Sequence, residues 1–192
     1  MNNELYHFLS QFEDLTEDDR KLIAEKIPVK NFKKGDFIIQ EGLVPRECYF
    51  VLKGILREFQ TVDGIEKTTA FYTEKNGTVN ARHYLEKSPS DCSLVCLEDT
   101  LVICGTPESE NSNYEEFPIL KAITANMVEN ELHETKKQFD RFKISSPKER
   151  YLNLIKEEPE LIQRASLNHI ASYLGITPES LSRIRKRIST GD

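Results

Sequence analysis

An α+β protein is predicted: an N-terminal antiparallel β-roll of jelly-roll type with flanking helices, one long helix, and a C-terminal helix-turn-helix. Three observations predict it. Between Val29 and Cys104, short β-branched and aromatic runs alternate with glycine-bearing turns; after Pro118, apolar residues step by three and four; and from Leu167 to Ile188, a small residue, a glycine and an apolar residue stand where two crossing helices need them.

In chain order, Asn3 to Phe12 have a helical pattern. Thr16 followed by Glu17, Asp18 and Asp19 is an N-cap with acids in the first turn, opening a helix to about Ile27 that Pro28 stops. From Val29 the period changes. The β-rich pieces are 37–39, 49–52, 55–59, 68–72, 94–97 and 101–104, separated by turns at Lys34-Gly35-Asp36, Glu41-Gly42, Lys53-Gly54, Asp63-Gly64, Asn76-Gly77 and Glu98-Asp99. Many short strands at this spacing close into a barrel or jelly roll.

After Pro118 one helix of about two dozen residues carries a heptad seam: Ala125, Val128, Leu132, Thr135, Phe139 and Phe142. Such a helix cannot bury the seam alone. It lies either against its own barrel or against a second copy, and a parallel homodimer is favoured because a helix-turn-helix works in pairs on half-sites one DNA turn apart. Ile119, Leu120 and Ile123 would then face the barrel. Ser146-Pro147-Lys148-Glu149 is a capping box with proline at the first helical position, which places a hinge near Ile144-Ser145. Residues Tyr151 to Ile155 would cover the helix-turn-helix core, and Pro159 breaks the chain ahead of Leu167. The expected units are therefore a sensor roll at 1–117, a dimerisation helix at 118–144 and a helix-turn-helix domain at 145–192.

Within LNHIASYLGITPESLSRIRKRI, Ala171 stands where the two helices cross, and Gly175 supplies the positive φ that ends the first. Thr177 caps the second, with Pro178 at its first position. Leu181, Ile184 and Ile188 form one apolar stripe to pack on Ile170, Leu174 and Ile176. The other side carries Glu179, Ser180, Ser182, Arg183, Arg185, Lys186 and Arg187. Arginine forks onto guanine, glutamate accepts from cytosine, serine adapts to either, and lysine neutralises phosphate, so residues 178–188 read as a recognition helix for the major groove. The alternative is a small helical subdomain with a solvated basic face.

Charge supports the first reading. The chain carries −6 overall, which disfavours indiscriminate nucleic-acid binding; residues 145–192 carry eight Lys or Arg against six Asp or Glu, a net of +2 that leaves −8 on the remainder. Four of those cations fall between Arg183 and Arg187, a local electrostatic footprint on an acidic body. The four cysteines, 48, 92, 96 and 104, form no C-x-x-C pair; Cys92 and Cys96 would be about 13 Å apart along a strand, so buried free thiols are expected and no metal. With no run of eighteen apolar residues and no charged-then-apolar leader, a soluble cytoplasmic protein is expected.

The order of parts resembles the CRP/FNR family of bacterial transcription regulators. The resemblance spans nearly the whole chain and rests on FKKGDFIIQEG and YFVLKGILREF, on LEDTLVI, and most specifically on IASYLGITPESLSRIRKRI. Family members that bind cyclic nucleotides carry Gly-Glu and then Arg-Ser/Thr-Ala ahead of the Leu-Glu-Asp turn; counted back from Leu97-Glu98-Asp99, this chain has Val79-Asn80 and Ser90-Asp91-Cys92. An arginine there would neutralise the cyclic phosphate, and Asp91 opposes an anion instead, so cAMP is not expected. Asn80, Arg82, Ser90 and Asp91 are the candidate effector residues, with Arg82 as a substitute phosphate ligand. A β-hairpin wing follows the recognition helix in the family, whereas only residues 189–192 follow here. The oxygen-sensing branch has an N-terminal cysteine cluster, and no cysteine precedes Cys48. Glu179-Ser180-Leu181-Ser182-Arg183 matches that branch's Glu-x-x-Ser-Arg and implies a palindromic site with TTGA-like half-sites. The resemblance implies double-stranded DNA and a second copy as partners and leaves an unknown effector and RNA polymerase open; no cofactor is implied.

Two other classes compete. A cupin-type metalloenzyme needs two or three histidines and a carboxylate on one metal, but His7, His83, His133 and His169 fall on four different elements with no His-x-His. A cyclic-nucleotide-responsive signalling module without DNA binding conflicts with both the altered cassette and the C-terminal pattern. No serine, histidine and acid constellation is readable from spacing.

Overall fold

The computed structural model describes residues 3–74, 84 and 86–190. Two short helices lead, α1 (Asn3–Leu9) and α2 (Glu17–Lys26). The Thr16 hydroxyl accepts from the Asp19 N–H while the Asp19 carboxylate accepts from the Thr16 N–H, and Ile27 caps the other end ahead of Pro28. The first helix is shorter than its pattern suggests; past Leu9 the backbone tightens, with Gln11 and Phe12 making i→i+3 bonds.

Seven described strands follow: β1 (Val29–Phe32), β2 (Phe37–Ile39), β3 (Cys48–Lys53), β4 (Leu56–Val62), β5 (Ile65–Tyr72), β6 (Ser93–Cys96) and β7 (Thr100–Gly105). They form two antiparallel sheets, in the orders β1-β7-β3 and β2-β6-β4-β5. The six expected strands are present, and β3, β4, β5 and β7 run longer than their sequence patterns. The β4–β5 hairpin turns on Asp63 and Gly64, both at positive φ, which matches the right-handed strand twist. Between the sheets lie Val51, Leu56, Tyr72, Leu94, Cys96 and Val102. The alternate residues of β3 and β7, Leu52 and Leu101 among them, point away from that interior and join Leu5, Leu9, Ile23, Leu120 and Ile123 in a second core. Ile119 packs there too, so the barrel-facing side of the long helix is as expected.

The next four helices each have proline at their start, α3 (Pro107–Glu116), α4 (Pro118–Ile144), α5 (Pro147–Glu157) and α6 (Pro159–Arg164), as does the last helix of the chain. Thr106 with Ser109, and Ser146 with Glu149, form reciprocal capping boxes, each contributing about 1 kcal/mol. Pro159, expected to break the chain, instead opens α6, because a first-turn residue needs no backbone N–H. The last pair is α7 (Leu167–Tyr173) and α8 (Pro178–Thr190). Tyr151, Leu154, Leu161, Ile170, Ala171, Leu174 and Leu181 bury one another in a third core, and Ile55 and Phe71 of the β-roll belong to it. All four cysteines are free. Among the described residues no helix is long and apolar enough to cross a membrane.

Candidate nucleic-acid interface

The geometry of α7 and α8 follows from four residues. Ala171 is fully buried in the core that the two helices share. The chain then leaves α7 through Gly175 at φ 70°, with the Ile176 N–H on the Ala171 carbonyl and the Gly175 N–H on the Ser172 carbonyl, a Schellman closure that satisfies two of the last carbonyls. Thr177 accepts the Ser180 N–H at 3.2 Å and opens α8. Leu181 is fully buried, with Ile184 and Ile188 packed against the same core.

That stripe leaves Glu179, Ser182, Arg183 and Lys186 on the outward side of α8, where they are exposed, with Arg187 flanking them. Ser180 and Arg185 lie at the margins. Ser180 is half-buried, and its hydroxyl exchanges contacts with Thr177 and with the Arg183 guanidinium, 3.2 Å away, so it positions Arg183 more than it presents itself. Its own backbone N–H, then the Thr177 hydroxyl and Arg183, hold the Glu179 carboxyl below its ordinary value, leaving it an acceptor.

Along α4 the seam lies open. Val128, Leu132, Phe139 and Phe142 are 51%, 70%, 58% and 43% exposed, more large apolar surface on one helix face than a folded chain leaves in water without reason. Phe142 is also tied to the C-terminal helices: the Arg150 guanidinium lies 3.9 Å from its ring centre and donates to the Leu174 and Ser145 carbonyls. The role of Arg150 escaped sequence reasoning, since no local spacing signals it.

The C-terminal helices sit on the roll through contacts that sequence spacing could not show either. The Thr68 N–H of β5 donates to the Ser172 hydroxyl at 2.9 Å, and Phe71 meets Tyr173 edge to face. Arg164 forks onto Glu74 at 2.9 and 3.0 Å and also pairs with Glu98. Burial pushes the Glu74 carboxyl up, but Arg164 and the Gly54 N–H outweigh it and keep it low. Arg57, 3% exposed, is held by Thr68 and Glu66 beneath this seat.

His169 carries a pH signature. Its Nδ1 is buried with no hydrogen-bond partner among the described residues, and burial, then the Arg57 charge, depress its pKa below the ordinary 6.5, with Glu66 opposing. A depressed histidine stabilises the fold above its unfolded value; as pH falls below 6.5 the unfolded chain takes the proton first, and the contribution is lost through the lower folded value. Melting temperature should therefore fall as pH drops below the ordinary 6.5, and His169→Gln should flatten that slope. An unchanged slope in a melt series would show that another group is responsible.

Of the candidate effector residues, Asn80 and Arg82, with Val79, lie outside the described residues. Ser90 is 4% exposed, and its hydroxyl is engaged by the backbone of Cys92 while its own backbone pairs with Gly42 and Leu43. Asp91 is exposed beside it. No group of three or more His, Cys, Asp or Glu arranged to hold a metal occurs among the described residues.

Two antiparallel sheets, a 27-residue helix and a trailing helix pair give the chain a fold similar to that of solved CRP/FNR regulators. Residues 29–109 match the family model of the cyclic nucleotide-binding domain. Among solved structures, the chain is similar to FixK2 from Bradyrhizobium japonicum (TM-score 0.66, 21% identity, covering 86% of this chain and 85% of that one). It is also similar to a mutant of CooA from Carboxydothermus hydrogenoformans (0.69, 13%, 99% and 86%). A transcriptional regulator of the CRP/FNR family from Thermus thermophilus matches as well (0.64, 17%, 85% and 87%). No curated protein matches the chain.

Proposed function

We propose that this protein is a homodimeric, sequence-specific DNA-binding transcription regulator of the CRP/FNR type that acts in the cytoplasm. Residues 1–117 form its sensor, 118–144 its dimerisation helix and 145–192 its helix-turn-helix reader, which pivots near Ile144-Ser145. The observation that carries the reading is the outward face of α8, an exposed stripe with Glu179, Arg183 and Lys186 at its centre, backed by a buried Leu181 and set on a body of opposite net charge. A helix held from behind and polar in front is what major-groove reading requires. The exposed α4 seam supports a second copy as its cover, with Ala125, Val128, Leu132, Thr135, Phe139 and Phe142 at the interface. Palindromic DNA with TTGA-like half-sites is the proposed target, and RNA polymerase the partner through which regulators of this type act.

Fluorescence anisotropy on a TTGA-bearing palindrome and a scrambled duplex tests this. Glu179→Ala should relax discrimination at one base pair by about 1–3 kcal/mol, whereas Lys186→Ala should weaken both duplexes alike and lower the salt slope by about one. Equal affinity of the unmutated protein for both duplexes would count against the reading.

The family match at residues 29–109 favours, as a second reading, a cyclic-nucleotide-responsive module. Against it stand the engaged Ser90 hydroxyl and the Asp91 carboxylate, which repels an anion. Calorimetry with cAMP and cGMP separates the two; heat with either nucleotide supports the second.

A further inference from the structure

We propose that a cavity of about 310 Å³ between the helix-facing side of the β1-β7-β3 sheet and helices α1, α3 and α4 binds an uncharged, largely apolar small molecule that carries one hydrogen-bond acceptor. This cavity is not the space between the sheets. Its walls include Leu5 and Phe8 of α1, Phe50 and Ile103 of the sheet, and Ile123 and Met127 of α4; Ser90 and Asp91 take no part in it.

Its size and apolar lining are those of a small-molecule site, and a few placed polar groups would fix orientation. Tyr84 supplies one. It is 7% exposed, lines the cavity, and its hydroxyl has no hydrogen-bond partner among the described residues. A phenol O–H left unpaired in an apolar wall costs free energy until something accepts from it. Beside it the Cys48 thiol donates to the Glu110 carboxylate at 2.6 Å; burial, then Glu110, push that thiol up to about 12, so it stays protonated.

Charge narrows the ligand further. Among the described residues no Lys or Arg lines the cavity, while Glu110 does, and Glu47, Glu108 and Glu110 all help to push the Tyr84 phenol up after burial and Cys48 have done so. A carboxylate or phosphate would enter a negative field with nothing to neutralise it. A neutral carbonyl or hydroxyl accepts from Tyr84 without that cost. The cavity also reaches Val128 of the seam, so an occupant would bear on the turn of α4 that the proposed dimer uses. That consequence rests on the regulator reading, whereas binding itself is measured on the full chain without DNA, so failure of the one is distinguishable from failure of the other.

Acetophenone and benzoate are matched probes of similar size, one neutral and one anionic. In ligand-observed NMR titrations acetophenone should bind saturably and benzoate should not. Tyr84→Phe should weaken acetophenone by roughly threefold to tenfold, the loss of one hydrogen bond, while leaving the unliganded protein no less heat-stable, since the hydroxyl has no partner among the described residues. Asn113→Trp, which fills the cavity from its half-buried rim on α3, should abolish binding without lowering the melting temperature. The proposal is overturned if the unmutated chain shows no saturable acetophenone binding, if benzoate binds as well, if Tyr84→Phe binds with full affinity, or if Asn113→Trp binds as the parent does.

Discussion

Leu132→Asp is expected to make the protein monomeric and to weaken its binding to a palindromic duplex by roughly 10²- to 10⁴-fold. Leu132 is the most exposed of the large apolar seam residues, at 70%, and no described element of its own chain covers it. Pairing two such helices would bury it against its symmetry mate, where two carboxylates could be neither solvated nor neutralised. The DNA effect is larger than the interface change alone, because a dimer holds its second reader at high effective concentration over the second half-site and a monomer loses that advantage. The single chain should fold normally, since the substitution places a charge in water. Sedimentation and anisotropy on the same samples check both statements; a Leu132→Asp protein that remains dimeric would assign the seam another cover, and one that is monomeric yet binds the palindrome undiminished would remove the need for pairs.

What the sequence made legible and what it hid divide on physical lines. Thr16, Ser146, Gly175 and Thr177 were readable because caps and left-handed turns are decided within a few residues, and the α8 stripe because its period is local. Strand β1 was not read, since Val29-Lys30-Asn31-Phe32 has apolar residues only at its ends and becomes a strand by pairing with β7. Helix α3 was missed as well. It buries no residue and has no apolar stripe, and its capping box uses Ser109 where a glutamate is usual. The seat of the C-terminal helices on the roll could not have been found from spacing, because Thr68 with Ser172 and Arg164 with Glu74 join residues about a hundred positions apart. Arg164 takes its meaning from the Glu74 and Glu98 carboxylates it meets.

That seat depends on a glycine. Gly54 stands at φ +106° in the turn between β3 and β4, and a Cβ added there would lie 2.5 Å from the Thr100 hydroxyl oxygen and 2.8 Å from its backbone Cα. Thr100 is buried, and its hydroxyl is already spent on the Glu98 carbonyl, so it has nowhere to retreat. Gly54→Ala is therefore expected to cost about 2–4 kcal/mol in denaturant melts, backbone strain and overpacking together. Gly42→Ala isolates the strain: Gly42 has a similar φ of +84° but open space around its missing Cβ, and should lose only about 1–2 kcal/mol. Equal losses at the two positions would mean that Thr100 yields freely. The effect should also reach the C-terminal helices, because the Gly54 N–H donates to the Glu74 carboxylate at 2.7 Å and Glu74 holds Arg164, while the next residue, Ile55, is buried in the core of those helices. Tilting that turn moves the carboxylate and the apolar seat together, so hydrogen exchange in α6 and α7 should rise in Gly54→Ala and stay at the parent level in Gly42→Ala.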